Sequence, residues 1–184
     1  MEYLEASLEK IEHVYLNFMK DDFPEDELKS LDQIKALYHA NHFIMYLAIK
    51  DKEMVGYACF VSVSEKSNLL DYFAVTSSIR GQGIGSEILQ WILAENSSKC
   101  LMIECETPEM AKTEAERKLR EKRISFYLKQ GILKTKIQTC IIGVPYTVLR
   151  NANDDYTESD TRAMLTHLYK TLTPNLEINM NEEC

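Results

Sequence analysis

The order of elements readable in this sequence predicts an α/β fold, a mixed sheet carrying helices on both faces. Three observations predict it. Apolar residues recur at helical spacing as far as Tyr38, strand-like runs take over from Phe43, and a glycine-rich turn at 80–85 joins a strand to a helix.

Taken in order, Leu8, Ile11, Tyr15, Phe18 and Met19 give a first amphipathic helix, which Asp21-Asp22-Phe23-Pro24 breaks. Pro24 is placed to open a second helix, with Leu28, Leu31, Ile34, Leu37 and Tyr38 as its apolar face. Residues 43–49 and 54–63 are rich in aromatic and β-branched side chains and flank Lys50-Asp51-Lys52-Glu53, the pattern of a hairpin. Residues 69–75 form a further strand. Ile84, Ile88, Trp91 and Ile92 mark a helix to about Ser97, and 99–106 is a strand that stops before Pro108. A charged helix over about 113–130 ends at Gly131. Strands at 133–142 and 144–149 meet tightly at Gly143, and Leu165, Leu168, Tyr169 and Leu172 mark a last helix. The resulting order is ααβββαβαββα.

Composition sets bounds on function. The 184 residues are 45% hydrophobic and 27% charged, close to the globular norm. A single domain over 1–173 is expected, with 174–184 as a flexible tail. The 21 basic residues against 29 acidic ones give a net charge of −8, which argues against a nucleic-acid groove. Residues 1–5 (Met-Glu-Tyr-Leu-Glu) are no signal peptide, and no apolar run is long enough to span a bilayer, so a cytoplasmic protein without membrane partner is expected. Five cysteines without Cys-x-x-Cys spacing indicate neither a disulfide framework nor a zinc site. The four histidines lack metal-like spacing, and no metal is expected.

Arg80-Gly81-Gln82-Gly83-Ile84-Gly85-Ser86 carries the most chemistry. The first N–H groups of a helix lack intrahelical partners and lie at the positive end of its dipole. Glycines let such a backbone approach phosphate oxygens, and Arg80 adds a cation. A P-loop would need Gly-Lys-Ser/Thr, which is absent. A dinucleotide fingerprint would need a third glycine at Ser86 and a turn directly after the strand, whereas 76–79 intervene. The pyrophosphate of coenzyme A is the remaining reading, beside an ordinary strand–helix turn.

Here the sequence resembles the GNAT superfamily of acyl-CoA-dependent N-acyltransferases. Arg80, Gly83 and Gly85 meet its Arg/Gln-x-x-Gly-x-Gly/Ala motif. Leu70-Asp71-Tyr72-Phe73-Ala74-Val75 looks like the strand that leads into it. Phe126-Tyr127-Leu128-Lys129-Gln130-Gly131-Ile132 looks like the family's second motif. The resemblance covers about 43–150, the expected CoA-binding core. It implies a mostly antiparallel sheet with splayed central strands and direct attack by an amine on acetyl-CoA in a ternary complex. Pantetheine would lie along Phe73, Ala74 and Val75, and the pyrophosphate on Gln82, Gly83, Ile84, Gly85 and Ser86, with Arg80 and Gly81 also among the CoA-binding residues. Tyr127 falls where the family places a tyrosine near the CoA sulfur.

For a base, Glu104 and Glu106 alternate with Ile103 and Cys105 on one strand face, and Asp71 is a third candidate. Cys105, between two acids, is a poor nucleophile. Arg120 and Arg123 stand where the family commonly has Asn and Ala, and the basic run 112–123 reads as a solvated helix face with i,i+4 pairs. The family usually has a strand before its first helix, and only 1–4 could supply it. The implied partner is a small-molecule or peptide amine, with acetyl-CoA as co-substrate; a homodimer is compatible. The other class is a non-catalytic acyl-CoA-binding module of the same fold.

Overall fold

A computed structural model describes residues 1–25, 27–141, 143–174 and 178–180. The order is β1 (Glu2–Glu5), α1 (Leu8–Val14), a π-helical stretch Tyr15–Met19, α2 (Lys20–Asp22), α3 (Leu31–His39), β2 (Phe43–Lys50), β3 (Glu53–Ser64) and β4 (Ser67–Val75). There follow α4 (Ile84–Glu95), β5 (Cys100–Glu106), α5 (Glu114–Lys129), β6 (Leu133–Ile141), β7 (Val144–Arg150), α6 (Glu158–Leu172) and β8 (Ile178–Met180). The strand order in the sheet is β1-β2-β3-β4-β5-β7-β6-β8. The ladders β1–β2, β2–β3, β5–β7, β7–β6 and β6–β8 are antiparallel. The residues group into two compact units, Met1–Ser62 with Leu70–Ile88, and Val63–Leu69 with Leu89–Cys184.

In the first unit, α1 begins at the Ser7 cap and buries Ile11 and Val14, and the helical run continues to Asp22, where Phe23 turns extended. The second helix starts later than Pro24 predicts. Ser30 and Gln33 form a capping box, each side chain satisfying the other's backbone N–H, and that pair fixes the start at Leu31. The hairpin at 51–52 turns through Asp51 and Lys52, both at positive φ. The strand that the family pattern expects is present: β1 pairs Tyr3 with Ala48. Phe43, Met45, Tyr57, Cys59, Ile88, Ile11 and Ile34 form the buried core of this unit.

In the second unit, Leu89, Ile92, Leu101, Ile103, Val148, Leu149 and Leu165 are buried. Thr113 caps α5, and Thr157 with Asp160 forms a capping box at α6. The two hydrogen bonds from Thr157 hold the Asp160 carboxyl below its usual range. At the register shift in β6, the Thr135 hydroxyl donates to the Val148 carbonyl (2.8 Å) and accepts from the Ile137 N–H (3.0 Å), replacing interrupted ladder bonds. Of the expected tail, 175–177 and 181–184 lie outside the described residues, whereas 178–180 form β8 against β6. Cys59, Cys100 and Cys105 are free and buried.

Asn151, directly after β7, is buried and makes three bonds to backbone. Its Oδ1 accepts from the Leu101 N–H (3.0 Å), and its Nδ2 donates to the carbonyls of Asn96 (3.1 Å) and Lys99 (2.9 Å). Removing such a side chain strands backbone groups that water cannot reach. Asn151→Ala is expected to destabilise by about 2–4 kcal/mol, measured by urea titration. A loss below about 1 kcal/mol would show that water replaces the amide.

Candidate active site

The strand–loop–helix junction lies wholly in the first unit. Ser77–Ile79 form one 3-10 turn, Gly81 and Gly83 take φ of 80° and 85°, and α4 begins at Ile84. A Cβ at either glycine would meet nothing within 4 Å, so backbone conformation rather than space calls for glycine there. The helix is registered by the Glu87 N–H bond to the Gly83 carbonyl (3.1 Å) and by the buried Ile84, Ile88, Leu89 and Ile92. Among the described residues, the backbone amides of Gln82, Gly83, Ile84 and Gly85 donate to no protein group. Open donors clustered at a helix start are an arrangement whose amides and dipole favour an anion.

Arg80 is built into the turn. Its Nε donates to the Val75 carbonyl (2.9 Å) and a terminal nitrogen pairs with Asp22 Oδ1 (2.5 Å). Tyr57, buried in β3, donates its hydroxyl to Asp22 Oδ2 (2.8 Å). Phe73, Ala74 and Val75 close β4 directly before the loop, with Ala74 buried. Asp71 is engaged by Lys29, whose Nζ lies 2.7 and 2.8 Å from its two oxygens. Tyr72 accepts from the Lys29 N–H (2.9 Å), donates to the Glu27 carbonyl (3.0 Å) and meets Phe23 edge-on at 4.9 Å. Burial, then the Asp71 charge, pushes the Tyr72 phenol up to about 12. Phe23, Glu27 and Lys29 are thus tied to Asp71 and Tyr72 of β4, where Pro24 predicts a helix.

The remaining candidates lie in the second unit. The Tyr127 ring is buried and stacks edge-to-face on Phe126 at 5.2 Å. Its hydroxyl has no protein partner among the described residues. Burial drives its phenol well above the ordinary value. Glu104 accepts from the Thr139 hydroxyl (2.5 Å) and from the Tyr169 hydroxyl of α6. Glu106 pairs with Arg120 and lies 3.8 Å from Arg123. The two acids share a strand face, as their spacing predicts, but different elements hold them. Cys105 between them is pushed up to about 12, by burial first and by both glutamates, with Arg123 opposing.

The charged helix divides in the same way. Arg117 with Glu121 (3.1 Å) and Lys118 with Glu114 (3.6 Å) are exposed i,i+4 pairs, as predicted. Arg120 is not on that solvated face. Its side chain is 14% exposed, and it donates to the Thr107 carbonyl (3.0 Å) as well as to Glu106. Sequence reasoning missed Asp22, Tyr57, Thr139 and Tyr169. Asp22 was legible only as part of a helix breaker, and Tyr169 only as an apolar helix position.

A family model for the GNAT acetyltransferase domain matches residues 40–131, half of the chain, including the glycine turn and Tyr127. The chain belongs to the GNAT acetyltransferase family. No curated protein sequence matches it. Solved structures agree on the fold. A GNAT-family protein from Bacteroides thetaiotaomicron aligns with a TM-score of 0.76 at 15% identity, over 92% of this chain and 97% of its own. An aminoglycoside 6'-N-acetyltransferase complexed with coenzyme A aligns at 0.57 and 15% identity, over 82% and 96%. A GNAT-family acetyltransferase from Elizabethkingia anophelis with acetyl-CoA bound aligns at 0.54 and 16% identity, over 82% and 96%. No helix among the described residues is long and apolar enough to cross a membrane, and none of their His, Cys, Asp and Glu side chains form a metal-holding group of three.

Proposed function

We propose that this GNAT-family transferase moves an acetyl group from acetyl-CoA to an amine in a ternary complex. The observation that carries the reading is the turn 80–86, where four backbone amides without a protein partner meet the start of α4. They suit the CoA pyrophosphate, with Gln82 to Gly85 as donors, Ser86 beside them, and Phe73–Val75 as the strand for pantetheine. The amine nitrogen attacks the thioester carbonyl carbon, the C–S bond breaks, and the proton lost by nitrogen ends on the sulfur. Tyr127 donates a hydrogen bond to the leaving sulfur. Glu104 and Glu106, on one strand face, are the candidates to draw an ammonium and take its proton; Glu106 does so beside Arg120 and Arg123.

A protein of charge −8 suits a cationic acceptor, and the fold likeness to an aminoglycoside acetyltransferase puts polyamino sugars in the panel beside polyamines and peptide N-termini. One observation favours the binding-only module: Asp71, Glu104 and Glu106 all have protein partners. Acetyl-CoA at 100 times its Kd is expected to stabilise the fold by about 2.7 kcal/mol, raising Tm by roughly 5–10 °C, while ATP and NAD leave it unchanged. Stabilisation by ATP or NAD and not by acetyl-CoA would sink the loop assignment. Thiol release across the amine panel then separates enzyme from binder.

A further inference from the structure

We propose that Asp22 is a positioning residue for the anion-binding turn: it fixes Arg80, and through Arg80 the backbone of 80–86. The inference rests on the reading of that turn as the pyrophosphate site.

The geometry is asymmetric. The Asp22 side chain is 12% exposed and the Arg80 side chain 53%, so the acid is the seated partner and the arginine comes to it. Asp22 is also held independently of Arg80, because the Tyr57 hydroxyl donates to its other oxygen. Burial, and then the bond to Asp22 itself, raises the Tyr57 phenol far above its ordinary value, so Tyr57 remains a donor at any working pH. Arg80 in turn spans two anchors, Asp22 and the Val75 carbonyl five residues earlier. It thereby ties the end of β4 to the residue that enters the glycine turn, across the spacer 76–79.

Local preference does not put an aspartate there. Asp22 ends the helical run that starts at Leu8, where the dipole disfavours a carboxylate and where it serves no cap. Gly81 and Gly83, which follow Arg80, are the most freely rotating residues a chain can have. A turn built on them holds its amides in one arrangement only if something beside it is rigid. The Tyr57–Asp22–Arg80–Val75 chain of bonds supplies such a support, joining β3 through α2 to the end of β4. Because Asp22 already balances the Arg80 charge, the amides are left as the principal attraction for a phosphate.

Two roles of Asp22 predict opposite results. As a positioning residue, its loss loosens the turn and weakens anion binding. As a mere counter-charge, its loss frees Arg80 and tightens it. The experiment compares wild type, Asp22→Asn and Tyr57→Phe by titration with CoA and with pantetheine, which lacks the pyrophosphate. Expected for Asp22→Asn is a rise in the CoA Kd of about five- to tenfold with the pantetheine Kd within about twofold, and a smaller CoA-specific rise for Tyr57→Phe. Asp22→Glu, which keeps the charge, recovers part of the loss. Unchanged or tighter CoA binding by Asp22→Asn overturns the inference, as does an equal loss for CoA and pantetheine, which marks general damage. Should Asp22→Asn fail to fold, Tyr57→Phe decides by the same comparison. Failure of wild type to bind CoA at all would instead overturn the functional reading.

Discussion

Gly56→Ala is expected to lower Tm by roughly 3–10 °C and to weaken acetyl-CoA binding in the same protein. Gly56 lies in β3 opposite Ala48, beside the register shift between Ala48 and Ile49. A Cβ there would stand 2.7 Å from the Ala74 carbonyl oxygen, 2.8 Å from Ile88 Cδ1 and 3.4 Å from Val75 Cα. The Ile88 methyl can rotate away. The Ala74 oxygen is backbone and cannot, so β4 itself must shift, at the cost of overpacking, about 1–3 kcal/mol. That shift falls on the segment proposed to carry pantetheine and on the Val75 carbonyl that holds Arg80. Thermal melts with a parallel acetyl-CoA titration check both halves. A Tm within about 1 °C of wild type would mean the close approach relaxes without cost; a lower Tm with unchanged affinity would detach β4 at 74–75 from the cofactor.

The clash also shows which features the sequence could reveal. Gly56 carries no mark within its strand, because what excludes a side chain is an oxygen eighteen positions onward in another strand. Elements with their own period were legible. The strands beginning at Phe43 and Cys100, the turn at 80–86 and the charged helix fall within a residue or two of expectation, since alternation, glycine and helix spacing are local signals. The start of α3 was misplaced because Pro24 is a conspicuous helix opener, while the pair that wins, Ser30 with Gln33, looks unremarkable in a polar stretch. The site divides along the same line. Backbone donors at 82–85 follow from the motif. The partners of its charged groups do not: Asp22 meets Arg80 across 58 positions and Glu104 meets Tyr169 across 65. Each carboxylate is fully described only once the residue that seats it is known. The spacing of Glu104 and Glu106 therefore revealed a shared face and not their separate partners, hydroxyls for one and arginines for the other.

On the proposed function, Tyr127→Phe is expected to lower kcat by roughly 10- to 100-fold, the worth of one hydrogen bond to a developing charge. The KM for acetyl-CoA and the Tm should hardly change. The structure makes this a clean comparison. The ring packs on Phe126, but the hydroxyl bonds to no protein group among the described residues, so its removal strands no partner. The pH dependence follows from the environment of the ring. Burial, reinforced by Cys105 and opposed by Arg123, places the phenol well above its ordinary value of 10.0. A raised value keeps the proton on, so the donor is present at every pH below 10 and is lost only beyond it. Activity is expected to rise with pH as the acceptor amine loses its proton, and not to fall again through pH 10. A descending limb near 10 that Tyr127→Phe abolishes would reveal an ordinary phenol and overturn this account, as would a kcat within twofold of wild type. The same raised value limits what Tyr127 can do. A thiol ordinarily titrates near 8.5, so full transfer from this phenol to the thiolate is uphill by at least about 2 kcal/mol. On the proposed function, Tyr127 would therefore act by hydrogen-bonding the leaving sulfur while the C–S bond opens. The proton that finally neutralises the sulfur is the one the acceptor nitrogen gives up on forming the amide.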